Sequence, residues 1–270
     1  MITVTGATGN VGRALVERLA KSGEKVTAVS RGIGAGDVPA GVRFERADLA
    51  EPESLKPALA GADSVFVLVS GAVASIDGVV EQAKAAGVRR VVLVSSQGVA
   101  TGRYPADHED AVTGSGLEWT ILRPGGFDSN TLQWAGMVRE RRVAAPFGDV
   151  GLPTVDPLDI AEVAAAVLRE PGHQGQVYTL TGPALISPRE QAAAIADALG
   201  EEVRFSELSR EDAKARMAGI MPEWVAEVTL DILGDPTPAE LAVSPDVQRV
   251  LGRAARSYRE WVGRNVAAFR

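Results

Sequence analysis

The sequence predicts an α/β fold: a doubly wound parallel sheet followed by a small, mostly helical C-terminal lobe. Three observations predict it. Short β-branched or apolar runs alternate with helical patterns over about the first 200 residues, as right-handed βαβ units require. Two runs, residues 64–70 (SVFVLVS) and 90–95 (RVVLVS), are almost continuously apolar, which suits strands buried on both faces. A glycine-rich turn, GATGNVG at residues 6–12, joins the first run to the first helical pattern.

Residues 1–5 (MITVT) read as the first strand. Residues 10–22 follow as a helix, with Val11, Leu15 and Leu19 on one stripe and Gly23 as the stop. Residues 25–30 (KVTAVS) and 42–46 are the second and third strands, and 52–60 a short helix. The glycine-rich stretch between them, 32–41, reads as a flexible connection. After the fourth strand at 64–70 comes a helix over 76–86, with Ser75 as N-cap and Gly87 at its end. The fifth strand is 90–95, then a short helix over 107–113 and a strand over 119–122 closed by Arg123-Pro124-Gly125. An Ala/Val-rich helix at 160–169, capped by Asp159, leads to a strand at 176–181 and a helix at 188–199 ended by Gly200. From Ser209 onward the chain is polar and helical and carries Trp224 and Trp261, which reads as a cap beside the sheet's C-terminal edge. The expected division is a nucleotide-binding core at 1–150, rejoined by the helix and strand within 155–182, and a small lobe at 183–270.

Composition narrows the chemistry. A net charge of −7 with scattered arginines argues against nucleic acid and against an anionic membrane as partners. There is no cysteine, which excludes disulfides, thiolate metal sites and thiol nucleophiles, and the two histidines, His108 and His173, leave no zinc site to expect. No apolar run is long enough for a leader or a membrane span, so a cytoplasmic protein is expected, a monomer or a homodimer.

The glycine turn carries the binding chemistry. Gly6 permits the tight turn, Gly9 lets backbone N–H groups approach a phosphate, and Gly12 lets the helix lie close to the sheet. Thr8, Asn10 and Val11 complete the cradle at the helix N-terminus, whose positive dipole end suits a pyrophosphate. The expected ligand is a nicotinamide dinucleotide. The second strand ends in Ser30-Arg31 rather than in an acid that would bind the ribose hydroxyls of NAD. A guanidinium pairs with a 2′-phosphate and stacks on adenine, so NADP (NADPH) is favoured over NAD. An Arg31 that only covers the adenine face would allow either.

TGATGNVG, the ADL at 47–49, SGLEWTILRPGGF at 115–127, VDPLDIAEV at 155–163, residues 178–200 and the ending LGRAARSYREWV together resemble the NmrA-like family of atypical short-chain dehydrogenase/reductases. The resemblance covers essentially the whole chain. It implies a Rossmann-type domain, NAD(P) binding and a small C-terminal lobe over the substrate cleft. It implies quinone reductases, reductases of aromatic natural-product intermediates, or redox-sensing regulators as the functional range. Carried over residue by residue, it places Asp48 and Leu49 beside the adenine, Val69, Ser70 and Gly71 along the ribose and pyrophosphate, and Ser95 near the nicotinamide. It further places Ser96, Gln97, Pro124, Gly125 and Phe127 toward the nicotinamide and substrate.

The proton donor is where the pattern departs. Members with a Tyr-x-x-x-Lys pair use the lysine to lower the tyrosine pKa, and here the spacing offers Tyr104 with His108 as catalytic candidates. A second alignment, anchored on Glu109, puts Pro105 at the acid–base position, where it can do no such work. Both remain open from the sequence. Hydride addition to a quinone yields a phenolate of pKa about 10, which solvent can protonate, whereas an isolated ketone yields a far more basic alkoxide. The expected activity is therefore NAD(P)H-dependent reduction of a small quinone-like aromatic; the alternative is a dinucleotide sensor of the NmrA type. Phe127, Trp134 and Trp224 are candidates for an aromatic substrate pocket, against a plain reading as packing. The charged run Arg139 to Arg142 reads as a solvated helix face, and Asp156 with Asp159 as an acid pair of which Asp159 serves the helix.

Overall fold

The computed structural model describes residues 1–69 and 73–270. The chain runs β1 (Ile2–Thr5), α1 (Asn10–Lys21), β2 (Val26–Ser30), β3 (Arg43–Arg46), α2 (Lys56–Leu59), β4 (Ser64–Leu68), α3 (Asp77–Ala85) and β5 (Arg90–Val94). It continues through α4 (Gln97–Ala100), α5 (Asp107–Thr113), β6 (Glu118–Pro124), α6 (Ala135–Arg139), β7 (Arg142–Pro146), α7 (Pro157–Arg169), β8 (Gln176–Leu180) and α8 (Pro188–Leu199). Then come β9 (Arg204–Leu208), α9 (Arg210–Met217), α10 (Glu223–Gly234), α11 (Pro238–Leu241), α12 (Asp246–Leu251) and α13 (Tyr258–Asn265). These elements group into two compact units: Met1–Pro124 with Pro157–Leu180 and Arg249–Gly252, and Gly125–Asp156 with Thr181–Gln248 and Arg253–Arg270.

The first unit holds a seven-stranded parallel sheet in the order β3-β2-β1-β4-β5-β6-β8. This is the doubly wound Rossmann order, and the chain reverses direction across the sheet between β1 and β4. The alternation of the strands buries both faces. Val29, Val65, Val67, Val91, Leu93 and Ile121 form one core face, which α2, α3 and α5 cover through Leu59, Val79, Val80, Ala83 and Val112. On the opposite face α1 packs against α7, and Arg18 reaches Glu162 across them at 3.1 Å. The last turn of α7 is closed by Arg90 Nη1, which donates to the Val167 and Leu168 carbonyls at 3.2 and 3.1 Å.

The second unit has its own core. Trp134, Val138, Val143, Ile195, Tyr258, Trp261 and Phe269 pack together, drawing in α6, β7, α8 and α13. Strands β7 and β9 pair in parallel, Arg142 opposite Arg204. Ser187 and Glu190 form a reciprocal cap on α8, and Gly200 ends it in the left-handed region at φ 70°. Among the described residues no helix is long and apolar enough to cross a membrane, and no group of acidic and histidine side chains is placed to hold a metal ion.

Most elements of the first unit fall where the sequence places them, with small shifts at the ends; α4 is an addition to the expected elements, and α3 starts at Asp77 with Ile76, not Ser75, in the cap position. The second unit departs more. The expected boundary near residue 150 gives way to one at Pro124, because β7 pairs with β9 and so draws residues 125–156 into the second unit. Neither strand shows alternation: β7 opens in the charged run, and β9 (RFSEL) is largely exposed. The charged run is accordingly not a helix face, since α6 ends at Arg139 and β7 starts at Arg142. Asp159 does not precede its helix but sits in the first turn of α7, which starts at Pro157.

Candidate functional site

The glycine turn stands at the reversal point of the sheet. The Leu68 N–H at the end of β4 donates to Thr5 Oγ1 at 3.0 Å, so a side chain on β1 satisfies the donor where the two strands part. Gly6 follows with φ +64°, a conformation that favours glycine. The Gly9 N–H closes the turn on the Gly6 carbonyl at 3.0 Å, and the Ala7 N–H reaches the Val29 carbonyl at 3.0 Å. Helix α1 then begins with Gly9 as N-cap and no side-chain cap hydrogen bond. Arg13 N–H to Gly9 carbonyl, 3.0 Å, is the first bond of the helix, so the amides before it lie at the open, positive end of α1. A Cβ on Gly9 would stand 3.3 Å from the Gly6 oxygen, and one on Gly12 would stand 2.2 Å from it. Close backbone approach therefore requires glycine at position 12, while at position 9 a side chain would fit only tightly.

A cavity opens on this turn. Gly6, Thr8 and Gly9 line one end, Ser30 and Arg31 the side at the end of β2, and Asp48 and Leu49 the side beyond β3. The Thr8 and Ser30 hydroxyls lie 2.9 Å apart and tie the turn to the end of β2, beside the exposed Arg31. Asp48 Oδ1 accepts the Ala50 N–H at 3.0 Å, a local turn that shapes the far wall. Amide donors, two hydroxyls and a guanidinium converge here, with apolar walls at Val29, Leu49, Leu68 and Val73. That donor set fits a phosphorylated nucleoside with its base held between apolar side chains, and the glycine cradle fits a pyrophosphate.

Not every residue expected here serves through its side chain. Asn10 is exposed at the start of α1, but the Val11 side chain is only 1% exposed and lies in the core, which leaves only its backbone N–H at the open N-terminus of the helix. Val69 is half-buried against the core face of the sheet. Ser70 and Gly71 lie outside the described residues.

The end of β5 has a different construction. Ser95 Oγ donates to Glu109 Oε1 at 2.5 Å, so its hydroxyl is turned toward α5. Arg123 of β6 grips the same carboxylate with Nε at 2.9 Å and Nη2 at 2.5 Å. Burial opposes ionisation of Glu109, but the hydrogen bonds from Arg123 and Ser95 outweigh it and hold the carboxyl below its ordinary range. The same bond to Glu109 raises Arg123. Ser96 caps α4 by accepting the Gly98 N–H at 3.1 Å, and Gln97 is buried as the first residue of that helix. Tyr104 packs its ring edge on Gly98, where an added Cβ would come 2.4 Å from Tyr104 Cδ2.

Tyr104 and His108, paired by spacing in the sequence, do not lie on one helix. Helix α5 begins at Asp107, with Pro105 and Ala106 in the loop before it, so Tyr104 lies outside the helix and His108 in its first turn. The residue next to His108, Glu109, is the one turned into the protein, at 6% exposure. Glu109 and Arg123 were both visible as letters of the motifs but not as partners, because nothing local relates positions 14 apart. Ser96, Gln97 and Tyr104 are brought together at one strand end; Ser95 is held just behind them.

In the second unit Phe127 is half-buried and bridges Val155. Trp134, at 7% exposure, is a member of the core with Val138 and Trp261, which corrects its place as a pocket aromatic: packing takes up the ring. Trp224, by contrast, is 55% exposed on α10. Asp156 is 2% exposed and paired with Arg264, a structural ion pair and not half of an acid pair with Asp159. Asp128, fully buried, accepts the Thr154 hydroxyl at 2.6 Å, and Tyr258 donates to Thr131 at 2.8 Å; no motif or spacing in the chain announces this polar cluster.

A sequence-family profile described as NAD(P)H-binding matches residues 6–171. The chain is 38% identical to a (4-alkanoyl-5-oxo-2,5-dihydrofuran-3-yl)methyl phosphate reductase of Streptomyces griseus, over 100% of this chain and 99% of that protein. It is 36% identical to an NAD(P)H azoreductase of Xenophilus azovorans, again over 100% and 99% of the two chains. Among solved structures it is similar to the NADPH-dependent quinone oxidoreductase QOR2 of Escherichia coli complexed with NADPH, at a TM-score of 0.80 and 26% identity, covering 98% of this chain and 99% of that one.

Proposed function

This chain belongs to the NAD(P)H-binding family, and on that footing we propose that it is an NAD(P)H-dependent oxidoreductase that prefers NADPH and reduces a quinone or quinone-like aromatic acceptor. The observation that carries the reading is the cavity at the sheet's reversal point. The glycine turn with Thr8, at the uncapped N-terminus of α1, forms one end of it, and Ser30 and Arg31 form the side at the end of β2, tied to the turn through the Thr8–Ser30 hydroxyl pair.

The preference for NADPH rests on the end of β2. No carboxylate stands at Ser30 or Arg31 to take ribose hydroxyls, and a guanidinium beside two hydroxyls suits a phosphate dianion. Gly6, Gly9 and the first amides of α1 would hold the pyrophosphate, Asp48 and Leu49 the adenosine side. When bound, the reduced nicotinamide supplies a hydride. Ser96 and Gln97, at the C-terminal end of β5, are where ring orientation would be set, because ligands in such sheets lie across the strand C-termini.

The acceptor class follows from what the site asks of its own proton donors. Among the described residues Tyr104 and His108 do not share a helix, and the reading therefore favours acceptors that do not pass through a strongly basic alkoxide. A quinone, an azo group and an acylated dihydrofuranone, the kinds of compound named for the similar proteins, all delocalise the charge that reduction places on them. Such acceptors ask mainly for two rings held face to face.

The test is a panel of quinones, an azo dye and a simple ketone, each with NADPH and with NADH. Turnover of the conjugated acceptors, faster with NADPH, supports the reading. Tight NADPH binding with no turnover of any acceptor contradicts it and leaves a dinucleotide sensor.

A further inference from the structure

Three elements of the first unit converge on one carboxylate. Glu109 comes from the first half of α5, Arg123 from the end of β6, and Ser95 is the residue immediately after β5. The carboxylate takes Arg123 bidentately, at 2.9 and 2.5 Å, and Ser95 Oγ at 2.5 Å. The carboxylate is buried and the guanidinium half-buried, and an ion pair so placed is a poor way to gain stability, since apolar residues of equal volume commonly do as well. What it does supply is a fixed geometry, because the planar fork and the hydroxyl fit in one arrangement only.

What is fixed lies directly ahead of Ser95. Its backbone N–H is held by the Leu122 carbonyl at 2.7 Å, and its side chain by Glu109. The next residue, Ser96, caps α4. Gly98, one turn on, accepts the Arg103 and Tyr104 N–H groups at 2.8 and 3.1 Å and receives the Tyr104 ring in the space a side chain would fill. The adenosine half of the site lies over β1, β2 and β3. A dinucleotide crossing the reversal point must therefore lay its other half over β4, β5 and β6, where this turn stands.

We propose that Glu109 is a positioning residue: gripped by Arg123, it holds Ser95 and so fixes the turn that presents Ser96, Gln97 and Tyr104 to the nicotinamide half of the dinucleotide. This rests on the dinucleotide reading of the site. It withdraws Ser95 from contact with the cofactor and gives its hydroxyl a role one residue behind the contact.

The experiment compares wild type, Ser95→Ala and Glu109→Gln by NADPH titration, by the fluorescence of the bound dihydronicotinamide and by steady-state turnover. Ser95→Ala leaves the Glu109–Arg123 pair intact, so the test survives if Glu109→Gln folds poorly. Both variants are expected to keep the NADPH Kd within about threefold, since the adenosine half is untouched. The fluorescence enhancement of the bound ring should fall toward that of free NADPH, and kcat should drop about 10- to 100-fold at unchanged KM for NADPH, as misplacement of a reacting ring requires. Wild-type fluorescence in both variants overturns the proposal, as does a loss that only follows Kd or Tm, which would mark a purely structural role. If the wild type turns over no acceptor while the fluorescence still changes, the positioning role stands and the reductase reading falls.

Discussion

Gly12 lies so close beneath the Gly6 carbonyl oxygen that a Cβ on it would stand 2.2 Å away, against backbone that cannot step aside. The first turn of α1 and the glycine turn are thus one rigid piece. Gly12→Ala is expected to push the helix off the turn, lowering stability by about 1–3 kcal/mol as overpacking does. NADPH binding should weaken more than stability does, because the amide donors move with the helix. Urea unfolding and NADPH titration of the same preparation check this; unchanged affinity would show that the turn is not the phosphate site.

Arg31 sets the cofactor preference if the 2′-phosphate binds beside Thr8 and Ser30. A charge-assisted hydrogen bond contributes about 1.5–3 kcal/mol, so Arg31→Ser should raise the KM for NADPH about 10- to 100-fold. The KM for NADH should change little. Equal losses with both cofactors would reduce Arg31 to a cover for the adenine.

How much of this was legible depended on whether the information was local. The strand–turn–helix at the N-terminus has its reason within a dozen residues, and so the cradle, the parallel order and the Arg31 rim could be read directly. Val11 shows the limit even there: a letter of the motif whose side chain belongs to the core. Ser95, Glu109 and Arg123 could each be picked out, but their union depends on β5 and β6 being neighbours and on α5 folding back over them. For Tyr104 and His108 the spacing alone does not say where the helix begins, and it begins only at Asp107, between them. In the second unit β7 and β9 pair without any alternating pattern, so no sequence period announced them.

The Glu109–Arg123 pair gives stability a pH dependence of definite sign. Glu109 is held below its ordinary carboxylate pKa, so its contribution is present above the unfolded value and is lost as the pH falls through the lowered folded value. Glu109→Gln should cost about 1–3 kcal/mol near neutrality, where the variant leaves a half-buried guanidinium without its anion. The difference from wild type should shrink in acid, where the wild-type carboxyl is also protonated. Urea midpoints taken from neutral pH down through the carboxylate range check this; a difference that stays constant with pH would contradict it.

Two tryptophans separate packing from surface. Trp134, at 7% exposure in the second core, should cost about 3–5 kcal/mol on replacement by alanine. Trp224, at 55% exposure, should cost under about 1 kcal/mol. Thermal or chemical unfolding of the two variants side by side tests the assignment, which fails if the order is reversed.

The decisive observation is NADPH oxidation by the purified protein in the presence of a simple quinone, followed as loss of the dihydronicotinamide absorbance and set against the same assay with NADH and with an unconjugated ketone. Rapid oxidation with the quinone, faster with NADPH than with NADH and absent with the ketone, is the expected result. NADPH bound at the glycine cradle but left unoxidised by every conjugated acceptor would contradict it.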